Sequence, residues 1–471
     1  MASLSNLKQC HKFNSPTSAG RNYNYVAELD NYPVINLKPE LSGATFSQRF
    51  TAAQSFIPDE SESVPKRITR AFFDGGFLES LAEARSPRTR EQMPMISRTA
   101  DGIADLLERY NSLQLNLCPH KGELNAERIA QYVETRDWIN SAIRCMAWHC
   151  DLFKLAIAGV DDVVRIYMRR IDNNGQPLVL KSPAQTQITC MAWRPMCPFE
   201  LVVGCQQGLC FWTIDGNLHL GRITNPSLVL KHPNKVPIST LQWSQDGTLL
   251  ATGSIADPDI LIWQIDNGSM LPLRRIGPPG SLLKWSPDNE WLFASTVGRV
   301  FRVWKCNERW TTDRWVCNEG NVQAACWSPC GRFLLFASTA EPILYRIEFV
   351  QLLLGPTKGS DDKEVVPVAD LNAIPLDGSN TNLIGGAVQQ LAWDPHGKFL
   401  AITFRSTNAI AIFRTFIQKF GLQISVGYYL LGDTPTEYPS YVCFQPLNRE
   451  NNRTVLAIGW STGRIQFHAL E

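Results

Sequence analysis

Seven short apolar segments after Ile143 each end in an aromatic residue that is followed by a turn. The seven aromatic residues are Trp148, Trp193, Trp243, Trp285, Trp327, Trp393 and Phe444. They follow one another at intervals of 45, 50, 42, 42, 66 and 51 residues. A period of about 40–45 residues with four strands per unit is typical of a β-propeller. We therefore predict an all-β, seven-bladed propeller over residues 142–471.

The repeated aromatic residues are interpreted as blade packing and not as a cofactor site. Each such side chain buries roughly 150–250 Å² on folding. Replacing one of the tryptophans by alanine is expected to cost about 3–5 kcal/mol. These seven positions are therefore predicted to be structural.

Six of the repeats have a recognisable fourth, outer strand, but the seventh stops after its third strand. The predicted outer strands cover residues 177–181, 227–231, 271–276, 311–316, 365–371 and 424–431. One strand-like segment, Tyr-Pro-Val-Ile-Asn-Leu at 32–37, stands alone near the N-terminus. We predict that this N-terminal strand, within residues 26–40, completes the last blade and closes the ring, because closure removes exposed sheet edges.

The remaining N-terminal residues have a different character. Residues 1–25 are polar, which predicts a disordered tail. Residues 41–141 are predicted to form a small helical insertion that packs on the propeller, because apolar residues recur there three and four positions apart. The three stripes are Ile68, Phe72, Phe73, Phe77, Leu78 and Leu81, then Ile103, Leu106, Leu107, Tyr110 and Leu113, then Ile129, Tyr132, Val133 and Trp138.

The amino-acid composition limits the kinds of partner that the chain is expected to bind directly. Lys plus Arg number 45 and Asp plus Glu 44, so the near-neutral net charge gives no indication of direct nucleic acid binding. No stretch of about 18 apolar residues occurs, which excludes direct membrane insertion by such a segment. The thirteen cysteines show no Cys-x-x-Cys spacing. Since the N-terminus also lacks a signal-peptide pattern, we expect a reducing compartment.

Motifs for catalysis or cofactor binding are missing from the sequence. It has no phosphate-binding loop, no nucleophile elbow and no His-Glu-x-x-His. Metal ligands could be imagined from Cys145, His149 and Cys150, or from Cys118 and His120. Structural zinc normally needs four ligands in two closely spaced pairs. We therefore predict no catalytic, cofactor or metal site.

The repeats resemble WD40 repeats, with departures at the signature positions. Trp212-Thr, Trp263-Gln and Trp304-Lys stand where the Trp-Asp pair would be, and the Gly-His dipeptide is absent. The hydrogen-bond network of Asp and His that is usual in such blades is therefore expected to be missing. Blade packing would then depend on apolar contacts.

A closer resemblance, over nearly the whole chain, is to the aladin family of WD-repeat nucleoporins. It is carried by Phe301-Arg-Val-Trp304, Cys326-Trp-Ser-Pro329, Glu341-Pro-Ile343 and Gly459-Trp-Ser-Thr-Gly-Arg-Ile465. The resemblance implies a non-enzymatic component of the nuclear pore complex at the nuclear envelope. It further implies other nucleoporins as partners, including a transmembrane nucleoporin as membrane anchor. The resemblance also implies roles in nuclear import and spindle assembly, with pools in the cytosol or on the spindle. It implies a C-terminal tail longer than the one in this chain.

A partner-binding surface is expected on the blade loops, because binding residues concentrate on loops held by a rigid frame. The candidates are Arg309, Trp310, Arg314, Trp315 and Arg464, since Trp and Arg are enriched at interface hot spots. Packing between blades is an equally good interpretation of Trp310 and Trp315.

Two other function classes stay open on the sequence. One is a soluble WD-repeat substrate receptor or adaptor, for example of a ubiquitin ligase. The other is an enzyme that uses the central channel. The apolar residues at the starts of the inner strands argue against the enzyme, at Ile143, Ile188, Ile238, Val322 and Val388.

Overall fold

Seven antiparallel sheets follow one another along the chain in the computed structural model. The structure describes residues 1–9, 32–33, 35–37, 63–75, 77–117, 136, 138, 141–168, 177–214, 221–234, 236–275, 277–306, 309–349, 363–376, 383–418, 421–446 and 454–470. The inner strand of each blade contacts that of the next, and the inner strand of blade 7 contacts that of blade 1. This closed ring confirms the predicted seven-bladed propeller.

Each blade has an inner, a second, a third and an outer strand. Blades 1 to 4 are Ile143–Trp148, Lys154–Gly159, Val164–Met168, Leu178–Leu180; Cys190–Trp193, Glu200–Cys205, Gly208–Thr213, Leu228–Leu230; Thr240–Trp243, Leu249–Gly253, Ile260–Gln264, Ser269–Leu273; and Gly280–Trp285, Trp291–Thr296, Val300–Lys305, Thr312–Val316. Blades 5 to 7 are Val322–Trp327, Phe333–Ser338, Ile343–Glu348, Val365–Asp370; Val388–Trp393, Phe399–Phe404, Ala409–Gln418, Gly421–Leu431; and Pro439–Phe444, Thr454–Trp460, Arg464–Leu470. All six outer strands predicted from the sequence are present.

Two short pairings lie beside these blades. Gly221–Ile223 adds a parallel strand to the outer edge of blade 1. Ile374–Pro375 and Leu383–Ile384 form a small hairpin between blades 5 and 6.

The turn after each blade aromatic explains why the repeat is recognisable in sequence. In blade 3, the Ser244 hydroxyl accepts a hydrogen bond from the Leu249 amide at 3.0 Å and donates to Asp246. Gly247 has a φ of +68°, and a Cβ there would lie 2.3 Å from the Pro195 carbonyl oxygen of the preceding blade. Glycine is therefore required at this turn both for its backbone conformation and for the close approach of the neighbouring blade.

The core lies between neighbouring blades. The seven repeated aromatic residues are buried, with exposed fractions of 3–9%. Two of them also bond to the previous blade: Trp193 Nε1 donates to the Ala147 carbonyl at 3.1 Å, and Trp327 Nε1 donates to the Lys284 carbonyl at 3.0 Å. These tryptophans therefore join consecutive inner strands by both apolar contact and hydrogen bonding.

Packing is not purely apolar, so the expectation of apolar contacts alone is wrong, and blades 2 and 3 give two further examples. Trp212 Nε1 donates to Gln185 Oε1 at 2.9 Å, and Trp263 Nε1 donates to the Thr252 hydroxyl at 2.9 Å. A buried indole N–H needs an acceptor, and these blades supply one without the usual Asp and His.

The N-terminal strand Ile35–Asn36 lies at the outer edge of blade 7. It pairs antiparallel with Arg464–Leu470, with Ile35 opposite Ile465 and Asn36 opposite Arg464. The Leu37 amide extends the pairing by donating to the Gly463 carbonyl at 2.8 Å. A segment from the start of the chain therefore supplies the outer strand that the last repeat lacks.

The first nine residues are ordered, which corrects the predicted disordered tail for this part of 1–25. Ala2–Ser3 pairs parallel with the outer strand of blade 5, and Lys8–Gln9 with that of blade 6. Between them, Leu4 is only 2% exposed and packs in the core of these two blades. A buried leucine and two strand pairings offset the cost of ordering this polar segment. Residues 10–25 lie outside the described residues.

A second compact unit spans Glu40–Glu123, so it ends before the predicted boundary at 141. Its described helices are α1 Val64–Gly75, α2 Phe77–Ala84, α3 Pro87–Gln92 and α4 Pro94–Leu117. The Ser86 hydroxyl caps α3 by accepting a bond from the Thr89 amide at 3.3 Å. Leu106 and Tyr110 of the predicted second stripe are 66% and 64% exposed.

None of the described helices has an apolar stretch long enough to cross a bilayer. Ile129, Tyr132 and Val133 of the third predicted stripe lie outside the described residues, whereas Trp138 belongs to the propeller unit and is buried.

Candidate partner-binding surface

Four of the five predicted partner-binding residues lie on blade 4, around its outer strand Thr312–Val316. This strand pairs antiparallel with the third strand, so that Phe301 lies opposite Trp315 and Arg302 opposite Arg314. Because successive side chains of a strand point to opposite faces, Arg314 and Trp315 lie on different sides of the blade. The Arg-Trp dipeptide therefore does not form one continuous contact patch.

Trp315 is half-buried and helps to join blade 4 to blade 5. Its ring stacks on Phe301 with centroids 5.4 Å apart and an angle of 8° between the planes. It also meets Phe349, which follows the third strand of blade 5, at 6.5 Å. The indole Nε1 donates to the carbonyl of Lys363 at 3.4 Å. These contacts agree with the packing interpretation of Trp315.

Lys363 covers the same aromatic group from outside. Its Nζ lies 4.2 Å from the ring centroid of Trp291 and 4.7 Å from that of Phe349. It also forms an ion pair with Asp313, which shares a face of the outer strand with Trp315. Cation–π contact and ion pairing together fix this lysine over the boundary between the two blades.

Trp310 precedes the outer strand and packs against the core shared by blades 3 and 4. Its ring makes an edge-to-face contact with Trp285 at 6.2 Å. The backbone at Trp310 has a φ of +47°, a region that bulky side chains rarely adopt. Such a conformation persists only where the surroundings determine it, and the Trp285 contact supplies that constraint. Packing therefore describes the observed contacts of both tryptophans.

Arg309 and Arg314 are exposed, in contrast to the two tryptophans. They are the candidates on blade 4 whose charged groups face solvent. Partner binding through this edge stays a prediction, and these two arginines are its best-placed members.

Arg464 lies on blade 7, away from the other four candidates in the ring. Its Nε and Nη2 donate to the two carboxylate oxygens of Glu437, at 3.3 and 2.9 Å. Its Nη1 lies 3.2 Å from Asp433, and the guanidinium lies over the Trp460 ring at 5.3 Å. These four contacts lie within blade 7, whose outer edge is closed by the N-terminal strand, and partner binding by Arg464 stays a prediction.

The surroundings of Glu437 set its charge state. Burial alone would raise the pKa of this carboxyl, but hydrogen bonds from Arg464 and from the Thr462 hydroxyl outweigh it, so the pKa is lowered. Glu437 is thus held as a carboxylate at the seam. It gave no signal in the sequence, because it is 27 residues from Arg464.

The described residues contain one group of three potential metal ligands, His149, Cys150 and Asp151. Cys145 of the set considered from the sequence is not in this group. His149 Nδ1 accepts hydrogen bonds from the amides of Asp151 and Leu152, both at 3.0 Å. The Nδ1 lone pair already accepts these two hydrogen bonds within the turn. The group is therefore better described as turn structure than as a metal centre. Cys118 and His120 lie outside the described residues.

Cations and thiols lie on or beside the inner strands. Arg136 donates to the Ser281 carbonyl at 3.3 Å. Burial lowers the pKa of Lys284; Cys326 opposes this shift, and the charge of Arg136 adds to it. Burial also raises the pKa of Cys190 and Cys326 to about 12. Since thiolates are the reactive form, these cysteines are poor nucleophiles.

A family model of the aladin seven-bladed propeller matches residues 124–470. The chain belongs to the aladin family. Aladin of Arabidopsis thaliana is 28% identical over 345 residues, which cover 68% of this chain and 73% of the relative. The resemblance seen in the sequence is confirmed. Aladin propellers are typically non-catalytic, and the family supports a nucleoporin-type scaffold in general.

Other similarities are shorter or more distant than the one to aladin. The mouse F-box-like/WD repeat-containing protein TBL1X is 26% identical over 129 residues, which cover 26% of this chain and 24% of TBL1X. The Cps50 (Swd1) propeller of Myceliophteria thermophila has a TM-score of 0.50 at 13% identity and covers 70% of this chain and 97% of its own. A chain from a mitotic checkpoint complex also has a TM-score of 0.50, at 15% identity, with 70% and 90% covered. These two structures support the fold alone.

Proposed function

We propose that this aladin-type propeller is a non-enzymatic scaffold of the nuclear pore complex that supports nucleocytoplasmic transport. A transmembrane nucleoporin would hold it at the nuclear envelope, and further pools in the cytosol or on the spindle would serve spindle assembly. The observation that carries this proposal is the match of the aladin propeller over residues 124–470.

The architecture suits a docking platform. The N-terminal strand closes blade 7, while residues 2–9 join the outer edges of blades 5 and 6. A repeat array tied at its ends cannot fray one blade at a time. Its loops and outer edges therefore keep fixed positions relative to one another, which lowers the entropy cost of binding a partner.

Within this proposal, the exposed outer edge of blade 4 is the docking surface. Arg309 and Arg314 would contact the partner directly. Trp315, on the opposite face of the strand from Arg314, would hold the outer strand in place through its stacking on Phe301. Arginine at such an edge can form hydrogen bonds and ion pairs that give specificity.

A fluorescent fusion of the full chain, expressed in cells, tests the location. The proposal expects a continuous rim around the nucleus and recovery of nucleoporins by proximity labelling, with a transmembrane nucleoporin among them. Diffuse fluorescence would contradict it. Recovery of ubiquitin-ligase subunits without pore proteins would favour the alternative of a substrate receptor, which has only the quarter-length similarity to TBL1X in its support.

A further inference from the structure

Three arginines come together between blades 3 and 4. Arg275 follows the outer strand of blade 3, and Arg302 and Arg314 lie opposite each other on the third and outer strands of blade 4. Trp304, two residues after Arg302, packs in the core shared by blades 3 and 4. Since alternate residues of a strand share a face, Arg302 and Arg314 lie on the face of blade 4 that is turned to blade 3.

The three side chains differ in depth. Arg314 is exposed, Arg302 is half-buried, and Arg275 is 8% exposed. Arg275 Nε donates to the Pro258 carbonyl, but its Nη1 and Nη2 are buried without a hydrogen-bond partner among the described residues. Arg302 Nη1 is also buried without a hydrogen-bond partner among the described residues. Buried charged donors without acceptors are costly, so they call for an acceptor from outside the described part of the chain.

The arginines lie within electrostatic reach of one another. Burial, and after it the charge of Arg302, lowers the pKa of Arg275 to about 10. The pKa of Arg302 is likewise lowered, by burial and then by Arg314. A favourable ligand would therefore be an anion that relieves this repulsion.

The acidic groups around Arg275 limit how much anionic charge is needed. Asp257 and Asp259 act on Arg275, and the Asp259 carboxylate accepts from the Arg275 amide at 3.4 Å. His232 also faces these aspartates, and burial lowers its pKa, which favours the neutral imidazole. Three guanidinium groups set against two carboxylates leave about one positive charge. A single carboxylate balances that charge, whereas a phosphate dianion would exceed it.

We propose that Arg275, Arg302 and Arg314 form a binding site for one Asp or Glu side chain of an acidic segment on a protein partner. A carboxylate accepts two parallel hydrogen bonds from a planar guanidinium, which a half-buried arginine can supply. Arg314 receives the side chain at the mouth, Arg302 bonds to it, and Arg275 attracts it from below. That the ligand belongs to a protein follows from the proposed scaffold function; the affinity for a carboxylate does not depend on it.

Binding of a hexaglutamate peptide to the purified full chain tests the site, with hexaglutamine as the uncharged probe. Isothermal calorimetry at low salt is expected to detect hexaglutamate and not hexaglutamine. Arg302→Met should weaken hexaglutamate binding at least about tenfold, because a hydrogen bond between charged groups is lost from a desolvated site. Arg274→Met removes an equal charge from an exposed neighbouring position and should bind as the unchanged chain does.

Thermal unfolding of both variants separates loss of the site from loss of the fold. Arg302→Met should unfold at the same or a higher temperature, since it removes a poorly compensated charge. Equal binding by the two variants would overturn the proposal, and so would tighter binding of inorganic phosphate than of hexaglutamate. If Arg302→Met fails to fold, Arg314→Met, at an exposed position, replaces it under the same criteria. If the fluorescent fusion of the unchanged chain shows no nuclear rim but the purified chain binds hexaglutamate, the pore assignment is contradicted and the carboxylate site is still supported.

Discussion

Arg464 and Glu437 form a two-pronged ion pair at the seam where the two ends of the propeller meet. Nε and Nη2 of the arginine donate to the two carboxylate oxygens at 3.3 and 2.9 Å. The backbone of Arg464 pairs at the same time with Asn36 of the N-terminal strand. One residue thus takes part both in the closing strand pair and in the ion pair that holds its own blade.

Replacing Glu437 by Gln is expected to destabilise the chain by about 1–2 kcal/mol, because the charge-assisted bonds from Arg464 become neutral ones. The decrease should appear in chemical denaturation at pH 7. Asp433→Asn serves as a control, because Asp433 is largely exposed and forms only one contact with Arg464. It should change the free energy of unfolding by less than half as much.

The same pair predicts a dependence on pH. The pKa of Glu437 is lowered in the folded chain relative to its ordinary value of 4.5. Stability from this group is therefore complete above about pH 4.5 and is lost as the pH falls through the lowered folded pKa. The difference in unfolding temperature between the unchanged chain and Glu437→Gln should shrink below that pH. A constant difference from pH 7 to pH 3 would show that the ion pair does not stabilise the seam.

Leu4 predicts a stabilising role for the first nine residues. Leu4→Ala should cost about 2–4 kcal/mol, because the side chain is almost wholly buried in the core of blades 5 and 6. Lys8→Ala, an exposed position on the same segment, is the matched control and should be nearly neutral. An equal and small effect of both changes, measured by thermal unfolding, would mean that the segment contributes little.

Deleting residues 1–40 tests the ring closure itself. The truncated chain loses the outer strand of blade 7 as well as the pairings on blades 5 and 6. Its melting temperature should fall below that of a chain lacking only residues 1–9. If the two truncations melt at the same temperature, Ile35–Asn36 does not stabilise blade 7.

The strands of the propeller could be predicted because each repeat carries a local sequence signal. Trp243 and the glycine four residues later mark a turn that any four-stranded blade needs, and the same signal recurs in other blades. The strand 32–37 could be found because blade 7 lacked an outer strand. Leu4 could not, since one leucine in a polar segment indicates nothing until the outer edges of blades 5 and 6 are placed beside it.

The candidate surface was harder to predict. Trp315 and Arg314 are neighbours in sequence, yet the pleat of the strand sends one to each face of blade 4. Trp315 contacts Phe301 on the adjacent strand and Lys363 in a segment 48 residues later. The contact with Phe301 depends on strand pairing within blade 4, and the contact with Lys363 depends on the approach of blade 5; no local pattern contains either.

The indole bonds between blades give a matched pair of variants. Trp327→Phe removes the bond from Nε1 to the Lys284 carbonyl, whereas Trp285 Nε1 has no hydrogen-bond partner among the described residues. Both substitutions remove a similar buried volume. Trp327→Phe should therefore cost about 1 kcal/mol more than Trp285→Phe in chemical denaturation. Equal costs would show that burial alone accounts for the blade tryptophans.

Arg309 provides the sharpest test of the blade 4 edge, because it can be changed without disturbing the packing. Arg309→Ala should leave the unfolding temperature unchanged, since exposed positions outside the core contribute little to stability. Recovery of its pore partner by proximity labelling should fall several-fold if this residue lies in an interface hot spot, on the order of 1–2 kcal/mol of binding. Arg299→Ala, exposed on the same blade, should keep full recovery. If both variants recover the partner fully, the docking surface does not lie at this edge. If both recover less of it, the effect is a general one of charge.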